Sequence, residues 1–152
     1  MTDSNARGIF PPSVWGEIKL LPLRSFDHHS GVLSVVESEI DIPFLARRIY
    51  YLHGLGPDSA RGGHAHVNLV QFMVAIAGSF TVELERKGVK REFQLNSPRE
   101  GILIPPLTWR ELHHFSDDAV CLVLASDLYM EDDYIRDYEE FSKISSSDKE
   151  TT

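Results

Sequence analysis

Short runs of apolar and β-branched residues, separated by turn-forming residues, dominate the chain from Trp15 onward. Nine such runs predict strands, because glycine, proline, asparagine and aspartate interrupt the chain between most of them. They cover residues 18–23, 31–37, 47–53, 69–77, 79–86, 89–95, 101–104, 108–114 and 119–125. Many short strands at this spacing indicate an all-β sandwich or barrel.

The run Val70–Ile76 is apolar at nearly every position instead of alternating. This pattern predicts a strand that is covered on both faces. In a small β protein the second cover is often another subunit, so we expect a homodimer. By contrast, Thr81–Arg86 alternates apolar and polar residues, as is typical of a strand with one solvated face.

One amphipathic helix is predicted over Glu131–Ser142. Its first turn carries three acidic residues, which the helix dipole favours, and aromatic residues recur along it at three- and four-residue spacing. We therefore expect a flexible N-terminal arm over residues 1–16, a single domain over 17–142 and a disordered tail over 143–152.

The chain of 152 residues carries 15 lysine and arginine residues against 23 acidic ones, a formal net charge of -8. This sign disfavours nucleic acid and anionic membranes as partners, because both attract basic surfaces. An anionic small molecule can bind only if arginines are concentrated at its site.

Cys121 is the single cysteine, so no intrachain disulfide can form, and its apolar neighbours predict a buried thiol. The N-terminus lacks the basic and apolar pattern of a secretory signal. No apolar run approaches the roughly 18 residues that a membrane span needs. We therefore expect a cytoplasmic protein.

The segment Arg61-Gly62-Gly63-His64-Ala65-His66 carries the clearest chemical signal. On a strand, residues two apart point to the same face, so His64 and His66 should project side by side. The glycine pair lets the backbone turn tightly or approach a ligand closely. Two adjacent imidazoles indicate either a metal site or proton transfer near neutral pH.

This spacing resembles the first motif of the cupins, in which two histidines and a glutamate usually bind a metal. Here Gln71 stands at the glutamate position, and the spacing after Pro105-Pro106 puts Glu111 where a second motif would supply a further histidine. Glutamine is a poor ligand for the metals of typical cupins, so a metal-free acid–base site is favoured. A facial triad of His64, His66 and Glu111 is the metal-dependent alternative.

A wider resemblance is to the sugar 3,4-ketoisomerases of the WxcM-like family, whose hallmark is R-G-x-H-A-H. It covers about residues 17–142 and is carried by four segments, at 47–51, 61–66, 109–112 and 125–138. It implies a cupin double-stranded β-helix, a jelly-roll barrel, with a short C-terminal helix. It also implies a cofactor-free enzyme that moves the ketone of a dTDP-4-keto-6-deoxyhexose from C4 to C3 through an enediol or enediolate.

The resemblance also implies roles for individual residues. His64 is the expected general base, and His66 would orient the sugar or donate the second proton. Arg61 or the Tyr50 hydroxyl would stabilise the enediolate, and Arg61 could instead bind phosphate. The expected substrate-binding residues are Arg48, Gln71, Trp109, Arg110 and Glu111.

Two further alternatives stay open at this point. A 3,5-epimerase of the same substrate would leave the ketone at C4, and a non-catalytic module would bind the sugar nucleotide without changing it. The turn before Gly31 departs from the family, since Ser30 stands where arginine is common. Residues of this turn differ between members that make epimeric products, so the configuration at C4 is open.

Overall fold

The structure, a computed structural model, describes residues 16–147. Within them the chain forms twelve strands and one α-helix. The strands are β1 (Lys19–Pro22), β2 (Arg24–His28), β3 (Gly31–Val35), β4 (Arg48–Leu52), β5 (Arg61–His66), β6 (Gln71–Ala77), β7 (Phe80–Arg86), β8 (Val89–Leu95), β9 (Glu100–Ile104), β10 (Trp109–His113), β11 (Val120–Ala125) and β12 (Tyr134–Ile135). The helix α1 spans Tyr138–Ser147.

The strands form two five-stranded sheets and a separate hairpin. One sheet has the order β1-β9-β6-β11-β4 and the other β12-β5-β10-β7-β8, while β2 pairs only with β3. Every pairing between these strands is antiparallel. The all-β architecture with one short helix that the sequence predicted is confirmed.

The main core lies between the two five-stranded sheets, because both sheets turn apolar side chains toward it. Met73 and Val123 come from one sheet, and Val82, Leu84 and Leu112 from the other. All five are buried. At one end this core gives way to the cavity described below, which Met73, Leu112 and Val123 also line.

The outer face of β6 is covered by the chain itself. Phe72 and Val74 pack there with Ile42 and Phe44, which belong to the segment between β3 and β4. Both faces of the strand are therefore buried from Gln71 to Ala75, as the continuous apolar run predicted, while Ile76 is exposed. The run alone therefore gives no reason for a second subunit, because an intrachain segment supplies the cover, and the homodimer stays a prediction.

The helix begins seven residues later than predicted. Residues 131–133 form a 3₁₀ turn, and the next two residues form β12, which pairs with β5. Asp137 then caps α1, since its carboxylate accepts a hydrogen bond from the Glu140 backbone N–H at 3.0 Å. The helix extends to Ser147, so residues 143–147 are helical where a disordered tail was expected.

The remaining parts of the two predicted terminal segments, residues 1–15 and 148–152, lie outside the described residues. Among residues 16–147, no helix is both long enough and apolar enough to cross a membrane.

Candidate active site

The glycine pair of β5 brings that strand into close contact with β10. Gly62 has a φ of 89° and Gly63 a φ of 72°, both in the region that favours glycine. A Cβ atom on Gly62 would lie 2.7 Å from the Arg110 carbonyl oxygen. The register between the strands shifts at this point, and Arg110 pairs with His64. Glycine at this position therefore allows Arg110 and His64 to sit side by side.

His64 lines a cavity of about 380 Å³ at the open end of the core. The cavity contains four arginines and, among the described residues that line it, no carboxylate. Its polar and aromatic lining comes from four strands (β4, β5, β10 and β12) and from the segments on either side of β12: Arg48, Tyr50, Arg61, His64, Arg110, Tyr129, Tyr134 and Arg136. In a chain of net charge -8, this is the local concentration of arginines that an anionic ligand requires.

His66 projects on the same side of β5 but belongs to a second cavity of about 290 Å³. The two cavities share Arg48 and Tyr134 in their walls. The rings of His64 and His66 lie 4.9 Å apart edge to face, and the Tyr134 ring packs 4.3 Å from His66. His66 is only 1% exposed. The predicted pairing on one face is therefore present, yet only His64 reaches the arginine-lined cavity.

Both imidazoles are held in the neutral form. Burial, assisted by the positive charge of Arg110, lowers the pKa of His64 to about 4 and lowers the pKa of His66 still further. Asp133 brings a carboxylate oxygen to 3.3 Å from His66 Nδ1, but neither ring nitrogen of His66 makes a hydrogen bond within residues 16–147. At neutral pH, His64 can accept a proton from a bound ligand.

A chain of hydrogen bonds crosses the floor of the cavity. Buried Arg110 donates through one terminal nitrogen to Gln71 Oε1 and through the other to the Thr108 carbonyl, at 3.0 Å. Gln71 Nε2 in turn donates to the Tyr50 hydroxyl oxygen at 2.9 Å. Burial lowers the pKa of Arg110 to about 10, so it stays cationic at neutral pH, and burial raises the pKa of Tyr50, so it stays a phenol.

Aromatic rings pack against two other arginines of the cavity wall, Arg48 and Arg136. The Arg48 guanidinium lies 5.4 Å from the Tyr50 ring centre and 5.5 Å from that of Tyr129, and its buried Nε has no hydrogen-bond partner in the described part of the chain. Arg136 stacks 4.2 Å from the Tyr134 ring centre and pairs with Glu131 at 3.0 Å. A guanidinium that lines a cavity and has an unpartnered Nε donor is a position at which an anion can bind.

Three of these wall residues, Tyr129, Tyr134 and Arg136, were not predicted as site residues. Tyr134 was expected in a helical packing stripe, but β12 instead pairs it with His66. The available signal was the spacing of Tyr134 and Arg136, since residues two apart share one face of a strand. Arg61, which was predicted, does line the cavity and is solvent-exposed.

Trp109 and Glu111 do not reach the cavity. They alternate with Arg110 and Leu112 along β10 and therefore lie on the outer side of the sheet. Trp109 packs 5.5 Å from the Phe141 ring of α1, and Glu111 is exposed. The predicted cupin register was thus off by one residue, and a buried guanidinium occupies the position that Glu111 was expected to hold.

The facial triad considered from the sequence is not formed, because Glu111 is separated from His64 and His66 by the sheet. Among residues 16–147, three potential metal-ligating side chains come within 4.8 Å of one another only at Glu83, Glu92 and His113. Glu83 and Glu92 are direct partners on the strands β7 and β8, away from the cavity. The arginine-lined cavity instead offers cationic donors, a neutral imidazole and a phenol.

The chain is similar in sequence to sugar 3,4-ketoisomerases. Residues 16–146 match the family model described as FdtA, WxcM-like, C-terminal. A TDP-4-oxo-6-deoxy-α-D-glucose-3,4-oxoisomerase of Aneurinibacillus thermoaerophilus is 39% identical over 127 residues, which are 84% of this chain and 91% of that protein.

Solved structures of 3,4-ketoisomerases have a similar fold. A histidine-to-asparagine variant of the 3,4-ketoisomerase QdtA from Thermoanaerobacterium thermosaccharolyticum, solved with TDP-4-keto-6-deoxyglucose, has a TM-score of 0.84 at 35% identity, covering 86% of this chain and 94% of its own. A 3,4-ketoisomerase from Helicobacter canadensis has a TM-score of 0.82 at 39% identity, covering 84% and 96%. These findings confirm the resemblance and the cupin-type jelly-roll fold that the sequence predicted.

Proposed function

The chain belongs to the WxcM-like FdtA family of sugar 3,4-ketoisomerases, and we propose that it moves the ketone of a TDP-linked 4-keto-6-deoxyhexose from C4 to C3. The observation that carries this proposal is the cavity in which neutral His64 faces four arginines and no carboxylate. The arginines match an anionic nucleotide, and the imidazole matches abstraction of a proton next to a ketone.

The diphosphate of the nucleotide is the group that the arginines would bind. Guanidinium groups donate two parallel hydrogen bonds to phosphate oxygens, which gives both affinity and orientation. Arg48 has a buried Nε with no partner in the described chain, and Arg61 is exposed at the cavity mouth. We assign Arg48 and Arg61 to the diphosphate, while Arg110, which is 2% exposed, lies deeper, beside His64.

The chemistry begins when neutral His64 removes the proton from C3. The electron pair forms a double bond between C3 and C4, and O4 becomes an enolate oxygen that Tyr50 and the charge of Arg110 stabilise. O4 then gains a proton, O3 loses its own, and a proton returns to C4 to leave the ketone at C3. His64 is the histidine that faces the sugar ring, and in its protonated form it is the acid next to C4. His66 supports the position of the His64 side chain.

The test is to incubate the protein with TDP-4-keto-6-deoxyglucose in heavy water and to follow the sugar by NMR. We expect a 3-keto product with deuterium at C4. A ketone that stays at C4 with deuterium at C3 and C5 would indicate the 3,5-epimerase, and an unchanged bound sugar would indicate a binding module. Measured before and after dialysis against a chelator, the rate should be the same, and its loss would favour a metal-dependent enzyme.

We also propose that the protein is a homodimer. The reason is a set of exposed apolar side chains, not the apolar run in β6. The β2–β3 hairpin exposes Phe26 and Leu33, at 56% and 62%, and the edge strand β4 exposes Ile49 and Tyr51, at 62% and 61%. Clustered exposed apolar side chains on an edge strand are typical of an interface. Light scattering should give twice the chain mass. Leu33→Glu should lower it, whereas Val89→Glu, at an exposed position on β8, should not.

The cytoplasm is the compartment we propose. Cys121 is the single cysteine and is buried as a free thiol, so the chain has no intrachain disulfide, as is typical of proteins in a reducing compartment. Cell fractionation with an antibody against the chain tests this, and recovery with the membrane or secreted fraction would contradict it.

A further inference from the structure

The hydrogen-bond chain across the cavity floor assigns Gln71 a role other than binding the sugar. We propose that Gln71 is a positioning residue that makes the Tyr50 hydroxyl donate its hydrogen bond into the cavity. This inference rests on the proposed function only for its catalytic consequence. The direction of the hydrogen bonds is a property of the protein alone.

The first step is that Arg110 fixes the orientation of the Gln71 amide. A guanidinium has only donors, so the atom of Gln71 that faces Arg110 must be the carbonyl oxygen. The second terminal nitrogen of Arg110 is held by the Thr108 carbonyl at 3.0 Å, which prevents the guanidinium from rotating away. The amide nitrogen of Gln71 is thereby turned toward Tyr50.

The second step is that this nitrogen fixes the hydroxyl. An amide nitrogen donates and cannot accept, so at 2.9 Å the Tyr50 oxygen accepts and its own hydrogen must point elsewhere. Among residues 16–147 the Tyr50 hydroxyl makes no other hydrogen bond. Because Tyr50 lines the cavity, its free donor is available to a ligand there.

The third step is that the protonation states of Tyr50 and Arg110 keep the hydrogen bonds in this direction. Burial raises the pKa of Tyr50, so its proton is present at neutral pH, and Arg110 stays cationic. No carboxylate in the described chain pairs with Arg110, so its charge acts on the Gln71 amide and, through it, on the phenol. Hydrogen bonds in such a chain strengthen one another. Gln71 itself is 1% exposed and does not line the cavity, so its second amide hydrogen is not presented to the sugar.

The consequence for the reaction is a preorganised donor for O4. As the C3 proton leaves, negative charge grows on O4, and a hydroxyl already directed at that atom needs no reorientation. No proton is transferred by Gln71. Its contribution should therefore be seen in turnover more than in binding, because the charge on O4 develops after the substrate is bound.

The test variant is Gln71→Glu, which keeps the size and still accepts from Arg110. Its second oxygen would accept from Tyr50, so the hydroxyl would turn away from the cavity. We expect kcat to fall by about ten- to a hundredfold, somewhat less than the loss of a whole oxyanion donor. KM should change by less than about threefold. Gln94→Glu is the matched control, because exposed Gln94 only accepts, from Thr81 at 3.1 Å, and a carboxylate keeps that contact.

A double-mutant cycle separates positioning from a general structural effect. Tyr50→Phe removes the hydroxyl through which Gln71 acts. We expect Gln71→Glu in the Tyr50→Phe background to lower kcat by less than about threefold further. Losses that multiply in full would overturn the proposal.

A spectroscopic measurement stays valid even if the protein does not isomerise a sugar. Tyrosine labelled at the ring ζ-carbon gives one NMR signal per tyrosine, and the signal missing in Tyr50→Phe belongs to Tyr50. We expect Gln71→Glu to shift this signal at neutral pH and Gln94→Glu to leave it in place. An unchanged Tyr50 signal in Gln71→Glu would refute the hydrogen-bond direction, whereas a shifted signal without turnover would refute only the proposed function.

Discussion

Two cavities adjoin the histidine pair, and they differ in charge although they share Arg48 and Tyr134. The cavity that His64 lines has four arginines and no carboxylate among its described residues. The cavity that His66 lines has one arginine and three aspartates. Two histidines on the same strand face, with rings 4.9 Å apart, therefore line cavities of different charge.

This difference indicates how an acidic chain can select an anionic nucleotide. The net charge of -8 repels anions at long range, but salt screens such interactions beyond roughly 8–10 Å. Inside the cavity the arginines act at short range and in a lower dielectric, where their effect is larger. The aspartates of the neighbouring cavity should at the same time disfavour the diphosphate there.

The largest expected effect is that of His64→Asn. Loss of a general base should lower kcat by about a hundred- to ten-thousandfold. Binding of TDP should change by less than about threefold, because asparagine leaves the arginines in place. Rates measured by NMR and affinities by calorimetry check this. His113→Asn, which makes the same change on the outer face of β10, should leave both values unchanged.

Removal of a cavity arginine should come next. Arg48→Gln deletes a cation whose buried Nε has no partner in the described chain. A charge-assisted hydrogen bond contributes about 1.5–3 kcal/mol. We therefore expect calorimetry to show TDP binding weakened by about ten- to a hundredfold. The neighbouring Arg47→Gln is the control, since exposed Arg47 pairs with Asp127 at 3.5 Å. Equal losses in both variants would contradict the assignment of Arg48.

The second cavity should respond weakly to the same measurement. Asp132→Asn removes one of its three carboxylates, on an exposed 3₁₀ turn. Because exposed charges are screened, we expect TDP binding to tighten by less than about twofold. A large gain would mean that the aspartates oppose the nucleotide directly, and a large loss would mean that the ligand occupies this cavity.

Much of the fold could be predicted from the periodicity of the sequence. The elements that were predicted wrongly or missed can be explained in physical terms. The nine predicted runs all contain strands, but β2 was missed because its residues are mostly polar and only Phe26 marks it as a strand. β12 was mistaken for helix because Tyr134 and Ile135 fit a helical stripe. That error moved the helix start and concealed Tyr134 as a wall residue.

The candidate site could be predicted only in part. The candidates His64, Tyr50, Arg48 and Arg61 all line the cavity, because a motif and its neighbouring strands fix their positions. The choice between Arg110 and Glu111 could not be fixed by spacing, since one residue of slippage reverses the faces of a strand. The register shift between β5 and β10 occurs at these two residues. Which of the two residues faces the cavity depends on the pairing of β5 with β10, strands that are distant in the sequence. No local sequence pattern predicts that pairing.

The smallest expected effect, and the most specific one, is the pH dependence of kcat/KM. The base acts in its neutral form, and burial with Arg110 lowers the pKa of His64 to about 4. The neutral form therefore persists as the pH falls, and activity should be lost only as the pH drops through that value. Between pH 7 and pH 5 we expect kcat/KM to decrease by only about a tenth, whereas a base of ordinary pKa near 6.5 would lose about 25-fold. Circular dichroism at each pH confirms that the protein stays folded. An acid limb near 6.5 in folded protein would mean that His64 is not held neutral by the arginine-lined cavity.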